Sequence, residues 1–493
     1  MADRKESLVG QRLAKLESLR RRGIDPYPHR YHRTHTTQDA IALFKRQEKA
    51  GPESQPTVSL AGRIVASRGM GKATFLDIRD STGKIQVHLR RDLLGEAKYG
   101  EVKELDLGDI IGVRGRLFCT KTGEITIEVE DYVMLCKALQ APPEKWHGLT
   151  DVEKRYRQRY LDLISSEEVR SIFAVRSRAI AAMRRFLDGR GFVEVETPIL
   201  QPVASGAMAR PFVTHHQALD QDLYLRIATE LHLKRLVVGG YDKVYELGRI
   251  FRNEGISTRH NPEFTTMESY EAYADYNDVM EMTEQMVSTI AQEVLGKQKV
   301  TFASQEIDFS PPWRRITLRQ AIKDQCGIDF EECRDEGSLC AAMAARGVGA
   351  GDVRGWGKLV DKLLSLFVEP KLVQPTFVMD YPVELSPLAK RKPGTENLVE
   401  RFEAFAGGME IANAFTELND PAEQRQRFAQ QEALRQMLGD EEAERLDEDF
   451  IQALEYGMPP TGGLGVGVDR LIMLFTDQQS IREVILFPQL RTK

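Results

Sequence analysis

Between Val244 and Tyr273 the chain reads as two strands joined by a polar loop. On the first arm Glu246, Gly248, Ile250, Arg252 and Glu254 fall at period two, and on the second Phe264, Thr266, Glu268 and Tyr270 do the same. Side chains at that spacing share one face of a strand. One face of this hairpin therefore gathers an arginine, carboxylates and two aromatic rings. The other (Leu247, Phe251, Thr265, Met267) is apolar enough to face a core. Charged alternation alone fits a wet sheet face. The rings favour a flat, charged ligand such as a nucleotide.

The N-terminal stretch 5–22 carries a helical stripe of Val9, Leu13, Leu16 and Leu19 amid arginines and lysines, ending at Gly23. Over 57–140 the pattern becomes alternating β-formers: Thr57–Val65, Ala73–Arg79, Ile85–Leu89, Asp109–Phe118 and Ile125–Leu135, with turn signals between them. Five strands with no long helix predict a small oligonucleotide-binding (OB-fold) barrel. Such barrels stack bases on strands two and three. Phe75 offers a ring there, Gln86 an amide that can read a base edge, and Arg68, just before strand two, a phosphate or base contact.

A linker opens at Pro142-Pro143 and runs to about Arg159. A long helix follows over Ser166–Leu187, then a strand over Gly191–Pro198, together a plausible dimer surface. A short strand at Leu223–Arg226 precedes a helix that starts near Glu230. Residues 276–296 and most of 314–370 read as helical, the latter as an insertion without legible chemistry. Arg401–Ala412 reads as a hairpin turning at Gly407-Gly408. Pairing outward from that turn sets Phe405 opposite Glu410 and Glu403 opposite Ala412, so Glu403 and Glu410 become diagonal neighbours. Two carboxylates that close call for a cation between them, and oxygen-only ligands suit Mg²⁺ shared with substrate phosphates. Asn413, Phe415 and Glu417 alternate onto the opposite face, and join Glu410 in one pocket only if a bulge falls near Ala412–Ala414. The acidic stretch Asp420–Gly457 reads as a surface helix. Gly463, Gly465 and Gly467 then clear one strand face for a ring, with Arg470 opening the next helix to cover it. Neither GxGxxG nor GxxxxGK[ST] spacing occurs, which disfavours dinucleotide folds and P-loop ATPases.

Composition changes this picture little. With 493 residues, 42% hydrophobic and 29% charged, several domains of an ordinary globular protein are expected, with no spanning helix or signal peptide. Charge is uneven. Net charge is -6, yet residues 1–50 hold 12 Lys or Arg against 6 Asp or Glu, which hints at a polyanion met from one end. Cys119, Cys136, Cys326, Cys333 and Cys340 form no CxxC pair, and the last three sit at a helical seven-residue spacing that suits burial. A cytoplasmic location fits.

These stretches together resemble class II aminoacyl-tRNA synthetases, and within them the bacterial-type lysyl-tRNA synthetases. Motif 1 resembles GFVEVETPIL (191–200), motif 2 FRNEGISTRHNPEFTTMESY (251–270), motif 3 GLGVGVDRLIMLF (463–475), and 57–140 that subgroup's anticodon-binding barrel. The resemblance implies an α+β architecture: an N-terminal extension (1–56), an OB-fold anticodon-binding domain (57–140), a linker (141–165), and a class II catalytic domain (166–493) with an antiparallel sheet and a helical insertion at about 300–370. It implies a homodimer that uses ATP, Mg²⁺, L-lysine and tRNA(Lys). Arg252 would hold the α-phosphate and the amino-acid carboxylate, Glu254 would accept from the adenine amino group, and Phe264 and Arg470 would sandwich the adenine. Arg259 and His260 would reach the outer phosphates, Asn261 would fix the nucleotide, and Glu403 and Glu410 would bind Mg²⁺.

Glu268, Tyr270 and Glu417 match positions that grip the lysine ε-ammonium. Gly206, Glu230 and Asn413 match those around its α-amino and carboxylate groups, and Phe415 the stem packing. Carboxylates facing a buried ammonium argue against aspartyl or asparaginyl enzymes, whose pockets need a cation. A lysine ligase acting on a protein would not need the barrel, and a catalytically dead RNA-binding regulator would be expected to lose Arg252, Arg470 or the paired carboxylates. Ser205, Met409, Ala412 and Ala414 depart from the family's usual glycine, arginine and glycines, which bears on the geometry of Glu410 and Asn413.

Overall fold

A computed structural model describes residues 2–48, 56–143, 149–438 and 446–491. The chain divides into two compact units, Met1–Thr150 and Asp151–Lys493.

In the first unit the five strands Thr57–Met70, Ala73–Arg79, Lys84–Arg90, Ile110–Cys119 and Ile125–Cys136 close into a barrel, the fifth lying between the third and fourth. Its interior is the alternating apolar set, among them Leu60, Ile78, Val87, Val113 and Ile127. Between the third and fourth strands the chain adds a short helical segment, Arg91–Glu101, interrupted at Gly95, where φ is 79°. A second helix, Thr37–Glu48, also escaped the sequence pattern. The basic N-terminal helix, Ala2–Arg21, buries Leu16 and Leu19. One of its cations is structural: buried Arg12 donates to the carbonyls of Leu107, Ala138 and Gln140.

In the second unit an eight-stranded sheet runs in the order Arg314–Thr317, Thr376–Pro382, Leu398–Ala406, Met409–Thr416, Thr461–Gly467, Glu263–Ala272, Lys243–Phe251, Val193–Glu194. The inner strands pair antiparallel, and the two edge strands parallel. One face packs under the helices Glu167–Asp188, Tyr276–Leu295 and Val468–Phe475, where Met183, Met286 and Leu471 meet Met267, Phe402 and Val466. Ser166 caps the first of these by accepting from the Val169 amide, and Asp275 forms a capping box on the second. The opposite sheet face lines the cleft described below.

Several expectations need correction. The expected linker is helical at Val152–Arg157 and Arg159–Ser165; 144–148 lie outside the described residues. Buried Arg159 ties it down by bonding Asp162 and the carbonyls of Arg482 and Leu486. The strand after the long helix shrinks to Val193–Glu194. The region 300–370 is not wholly helical, since Lys299–Phe302 and Gln305–Asp308 form a hairpin and Arg314–Thr317 edges the main sheet. The acidic stretch holds the helices Pro421–Leu438 and Glu448–Glu455, while 439–445 lie outside the described residues. The cysteine spacing does not mark one helix: Cys326 ends Leu318–Cys326, Cys333 sits in the following turn, and Cys340 belongs to Glu336–Ala344. Among the described residues no helix is long and apolar enough to cross a membrane.

Candidate active site

The hairpin pairs as its alternation requires, Glu246 with Glu268, Gly248 with Thr266 and Ile250 with Phe264. The first arm nevertheless ends at Phe251, so Arg252 and Glu254 lie in irregular chain rather than on the strand. Glu246 is taken as well. It accepts from the Thr197 amide and hydroxyl and pairs with Arg226. A Cβ on Gly248 would collide with that arginine's guanidinium, so the glycine makes room for it. The strand Lys243–Phe251 is thus structural, and the first arm meets the cavity described below only beyond its end, through Arg252 and Glu254.

All residues matched to ATP, Mg²⁺ or lysine border one cavity of about 510 Å³, ample for a nucleotide and an amino acid. At one end lie Arg252, Glu254, Arg259, His260, Asn261, Phe264, Glu403, Glu410 and Arg470. Arg252 lies over the Phe264 ring at 5.3 Å and donates to the Ile227 carbonyl. His260 bonds Ser257 through Nδ1 and approaches Arg470 through Nε2. Burial, then the Arg470 charge, lowers its pKa. Asn261 is fixed from both sides, donating to the Glu263 carbonyl and accepting from the Gln489 amide.

Three carboxylates at this end each hold a different arginine. Glu410 accepts from Arg470 at 3.0 Å, Glu403 from Arg401 at 2.6 Å and from Tyr381 at 2.9 Å, and Glu369 from Arg259 at 2.8 Å. Burial pushes Glu403 up to about 7 despite Arg401, with Glu410 and Asp361 adding to the rise. Asp361 and Glu369 are raised too, first by desolvation, although Asp361 as a whole residue is exposed. Both come from the region that looked chemically silent. Buried carboxylates gathered at one end of the cleft suit a divalent ion shared with phosphates. Among the described residues no three His, Cys, Asp or Glu side chains converge to hold a metal by themselves.

At the other end lie Gly206, Glu230, Glu268, Tyr270, Asn413, Phe415 and Glu417. Glu410 and Asn413 reach the same cavity because a bulge does occur, but at Ile411 rather than at Ala412–Ala414. Phe405 pairs with Glu410 and Ala404 with Ala412, so Ile411 is the extra residue and Glu403 faces Asn413, not Ala412. Downstream of the bulge Ala412 and Ala414 point into the core, as Met409 does, and glycine is not needed there. Arg401 links the two ends: its Nε donates to Asn413 Oδ1 while it pairs with Glu403.

The glycine-rich strand also differs from expectation. A Cβ on Gly463 would sit 1.8 Å from Glu417 Oε1, so that glycine accommodates Glu417, not a nucleotide ring. Bare backbone remains at Gly465 and Gly467. Burial raises Glu268 to about 7, against hydrogen bonds from the Thr229 amide. It raises Glu417 and Tyr270 well above their ordinary values. Glu417 Oε1 is buried and, among the described residues, has no hydrogen-bond donor, an arrangement that awaits a ligand cation.

Sequence reading missed Lys234, which is fully buried between Glu230 and Glu417. Its place one helical turn after Glu230 was the available signal. Arg401, two residues before Glu403, was missed likewise.

On the barrel, Phe75 pairs across strands with both Arg68 and His88. Its ring stacks on His88 with centroids 4.1 Å apart. Arg68 lies at the end of the first strand and approaches Asp77 at 3.4 Å. Gln86 is buried and bonded to Thr126 and Glu124, so its amide is held rather than free.

A family model described as tRNA synthetases class II (D, K and N) matches residues 151–491, and one described as an OB-fold nucleic acid binding domain matches 58–135. Similar curated proteins include a lysine–tRNA ligase of Dehalococcoides mccartyi, 56% identical over 99% of this chain and 98% of that protein. Others are the lysine–tRNA ligases of Pelotomaculum thermopropionicum, 54% identical over 99% of this chain and 95% of that protein, and of Moorella thermoacetica, 53% identical over 99% and 98%. The chain belongs to the class II lysyl-tRNA synthetases.

Proposed function

We propose that this chain joins L-lysine to tRNA(Lys) through a lysyl-adenylate, with the residues above in the roles their matched positions imply. The observation that carries the choice of amino acid is the set of three buried carboxylates, Glu230, Glu268 and Glu417, at the closed end of the cleft. A ligand with two ammonium groups answers them. An aspartate or asparagine side chain does not.

In the first step a lysine carboxylate oxygen attacks the α-phosphorus of ATP. The bond to the β-phosphate bridge breaks and pyrophosphate leaves. Arg252 steadies the lysine carboxylate and the α-phosphate. Glu254 accepts from the adenine amino group, Phe264 and Arg470 hold the ring, and Arg259, His260 and Asn261 fix the phosphates and the nucleotide. Glu403 and Glu410 fit Mg²⁺, which when bound neutralises phosphate charge. For ATP to enter, Arg470 leaves Glu410 for the adenine ring and Arg259 leaves Glu369 for phosphate oxygens. In the second step the terminal ribose hydroxyl of tRNA attacks the acyl carbon and AMP leaves. No side chain acts as nucleophile, so positioning and charge do the catalysis.

The barrel would meet the anticodon through Arg68 and Phe75, the Phe75 ring stacking a base on a platform already built with His88, and through Gln86 only where its amide leaves Glu124 for a base edge. A homodimer would join across the segment carrying Val193, Ile199 and Leu200, apolar side chains exposed by 44–46%. The test is ATP–pyrophosphate exchange with lysine, aspartate and asparagine in turn, followed by charging of a lysine tRNA transcript. Exchange with lysine alone is expected, and exchange with aspartate or asparagine would overturn the reading.

A further inference from the structure

Lys234 is a buried cation at the amino-acid end that the proposed chemistry leaves unused. It lies on the helix Glu230–Val238 with a side chain 0% exposed. Its Nζ donates to Glu230 Oε1 at 2.6 Å and pairs with Glu417. Phe415 and Phe450 flank the ammonium, 5.4 and 5.9 Å from it to their ring centroids, which closes it off from water.

Glu230 is matched to the α-amino group of the ligand and Glu417 to the ε-ammonium. One internal cation therefore ties together the two carboxylates that meet opposite ends of the substrate. We propose that Lys234 is a positioning residue for lysine recognition: its ammonium fixes Glu230 and Glu417 in register and supplies one of the three positive charges the pocket needs, so that a ligand is selected for bringing the other two.

The charge count supports this. Three buried carboxylates converge, Glu230, Glu268 and Glu417, with the Tyr270 hydroxyl beside them. Facing them from other elements are Arg401, whose charge acts on Glu230, and Arg252, whose charge acts on Glu268. Arg401 is already engaged by Glu403 and Asn413, and Arg252 is assigned to the ligand carboxylate. Lys234 is thus the remaining fixed cation. A lysine ligand adds two ammonium groups and balances the site; norleucine, aspartate and asparagine each add one. Burial pushes Glu230 and Glu417 toward the neutral form, and Lys234 is the strongest influence against it. Burial pulls the Lys234 ammonium itself down, but the two carboxylates outweigh that and hold it charged.

The inference rests on the roles proposed above for Glu230 and Glu417, and the experiment separates the two. Lysine KM and ATP KM are measured by ATP–pyrophosphate exchange between pH 6.5 and 8.5 for wild type, Lys234→Met and Glu417→Gln. For Lys234→Met the lysine KM should rise by about 100-fold near neutrality, on the scale of breaking a buried pair. The rise should shrink as pH increases, the profile moving alkaline by about one unit because carboxylates without their cation ionise later. ATP KM should stay within about twofold. An unchanged lysine KM, or one raised by the same factor at every pH, would overturn the proposal. If Glu417→Gln leaves lysine KM unaltered, the site reading itself fails; if only Lys234→Met does, the positioning role alone fails. Lys234→Gln keeps a hydrogen-bond donor for the carboxylates and serves where Lys234→Met does not fold. The same alkaline move is expected of it, and its absence would equally overturn the role of the charge.

Discussion

The two ends of the cleft use the same side chain in opposite ways. At the phosphate end Glu403, Glu410 and Glu369 each hold an arginine, and two of those arginines, Arg470 and Arg259, are still partly exposed. At the amino-acid end Glu230 and Glu417 share a lysine with no exposure at all. Exposed pairs contribute little stability and exchange partners readily. A buried pair cannot lose one member without leaving an uncompensated charge. The phosphate end is built to trade its internal partners for a ligand. The amino-acid end keeps its internal partner and adds ligand charges to it.

This contrast can be broken most severely where the ends meet. Arg252 serves both ligands in the proposed mechanism, so Arg252→Ala should lower lysine-dependent exchange by roughly 10²–10³, the scale of one lost oxyanion donor. Exchange near the wild-type rate would show that the phosphate and the amino acid do not converge there.

The next effect is one of pH. Glu268 is raised by burial to about 7 in the folded chain, above its ordinary carboxylate range. A folded-state pKa above the unfolded one means that the folded form binds the extra proton, so this group's contribution to stability is lost as pH rises toward 7. Lysine binds the ionised form and offsets that loss. The lysine-induced rise in Tm should therefore be larger at pH 8 than at pH 6, with affinity falling by up to about tenfold per unit below 7. Equal rises at both pH values would contradict a buried, proton-linked pocket.

Phe75→Ala touches neither end of the cleft. Charging of tRNA should weaken by about 1–3 kcal/mol, the worth of one stacked base, while lysine-dependent exchange is unchanged. A fall in exchange would mean that the barrel matters to the first step. The smallest effect belongs to Ala412→Gly. Ala412 faces the core, so only about 0.5–1 kcal/mol of stability should be lost, read from denaturant unfolding, with both KM values unaltered.

Alternation and turn chemistry made most of the fold legible in the sequence. The barrel strands, the motif hairpin and the turn at Gly407-Gly408 follow from period-two patterning and glycine. Glu268, Tyr270 and Phe264 could be placed on one face for the same reason. What could not be read is long-range. The bulge at Ile411 depends on how Leu398–Ala406 pairs, and it alone brings Glu410 onto the face of Asn413. Arg226 over Gly248 comes from just after the strand Gln221–Leu225, and Asp361, whose charge acts on Glu403, sits on a helix whose own pattern signals only packing. Lys234 shows the deepest reason: a lone lysine near a helix start reads as solvated until tertiary packing sets Glu417 against it.

The division of the cleft is tested most directly by lysine KM and ATP KM of Glu417→Gln, measured together by ATP–pyrophosphate exchange. Glu417 is 1% exposed and lies at the end away from the phosphates. Lysine KM should rise at least about tenfold, the scale of a truncated buried charge contact, with ATP KM within about twofold. A matching rise in both, or none in either, would contradict a cleft whose ends take separate ligands.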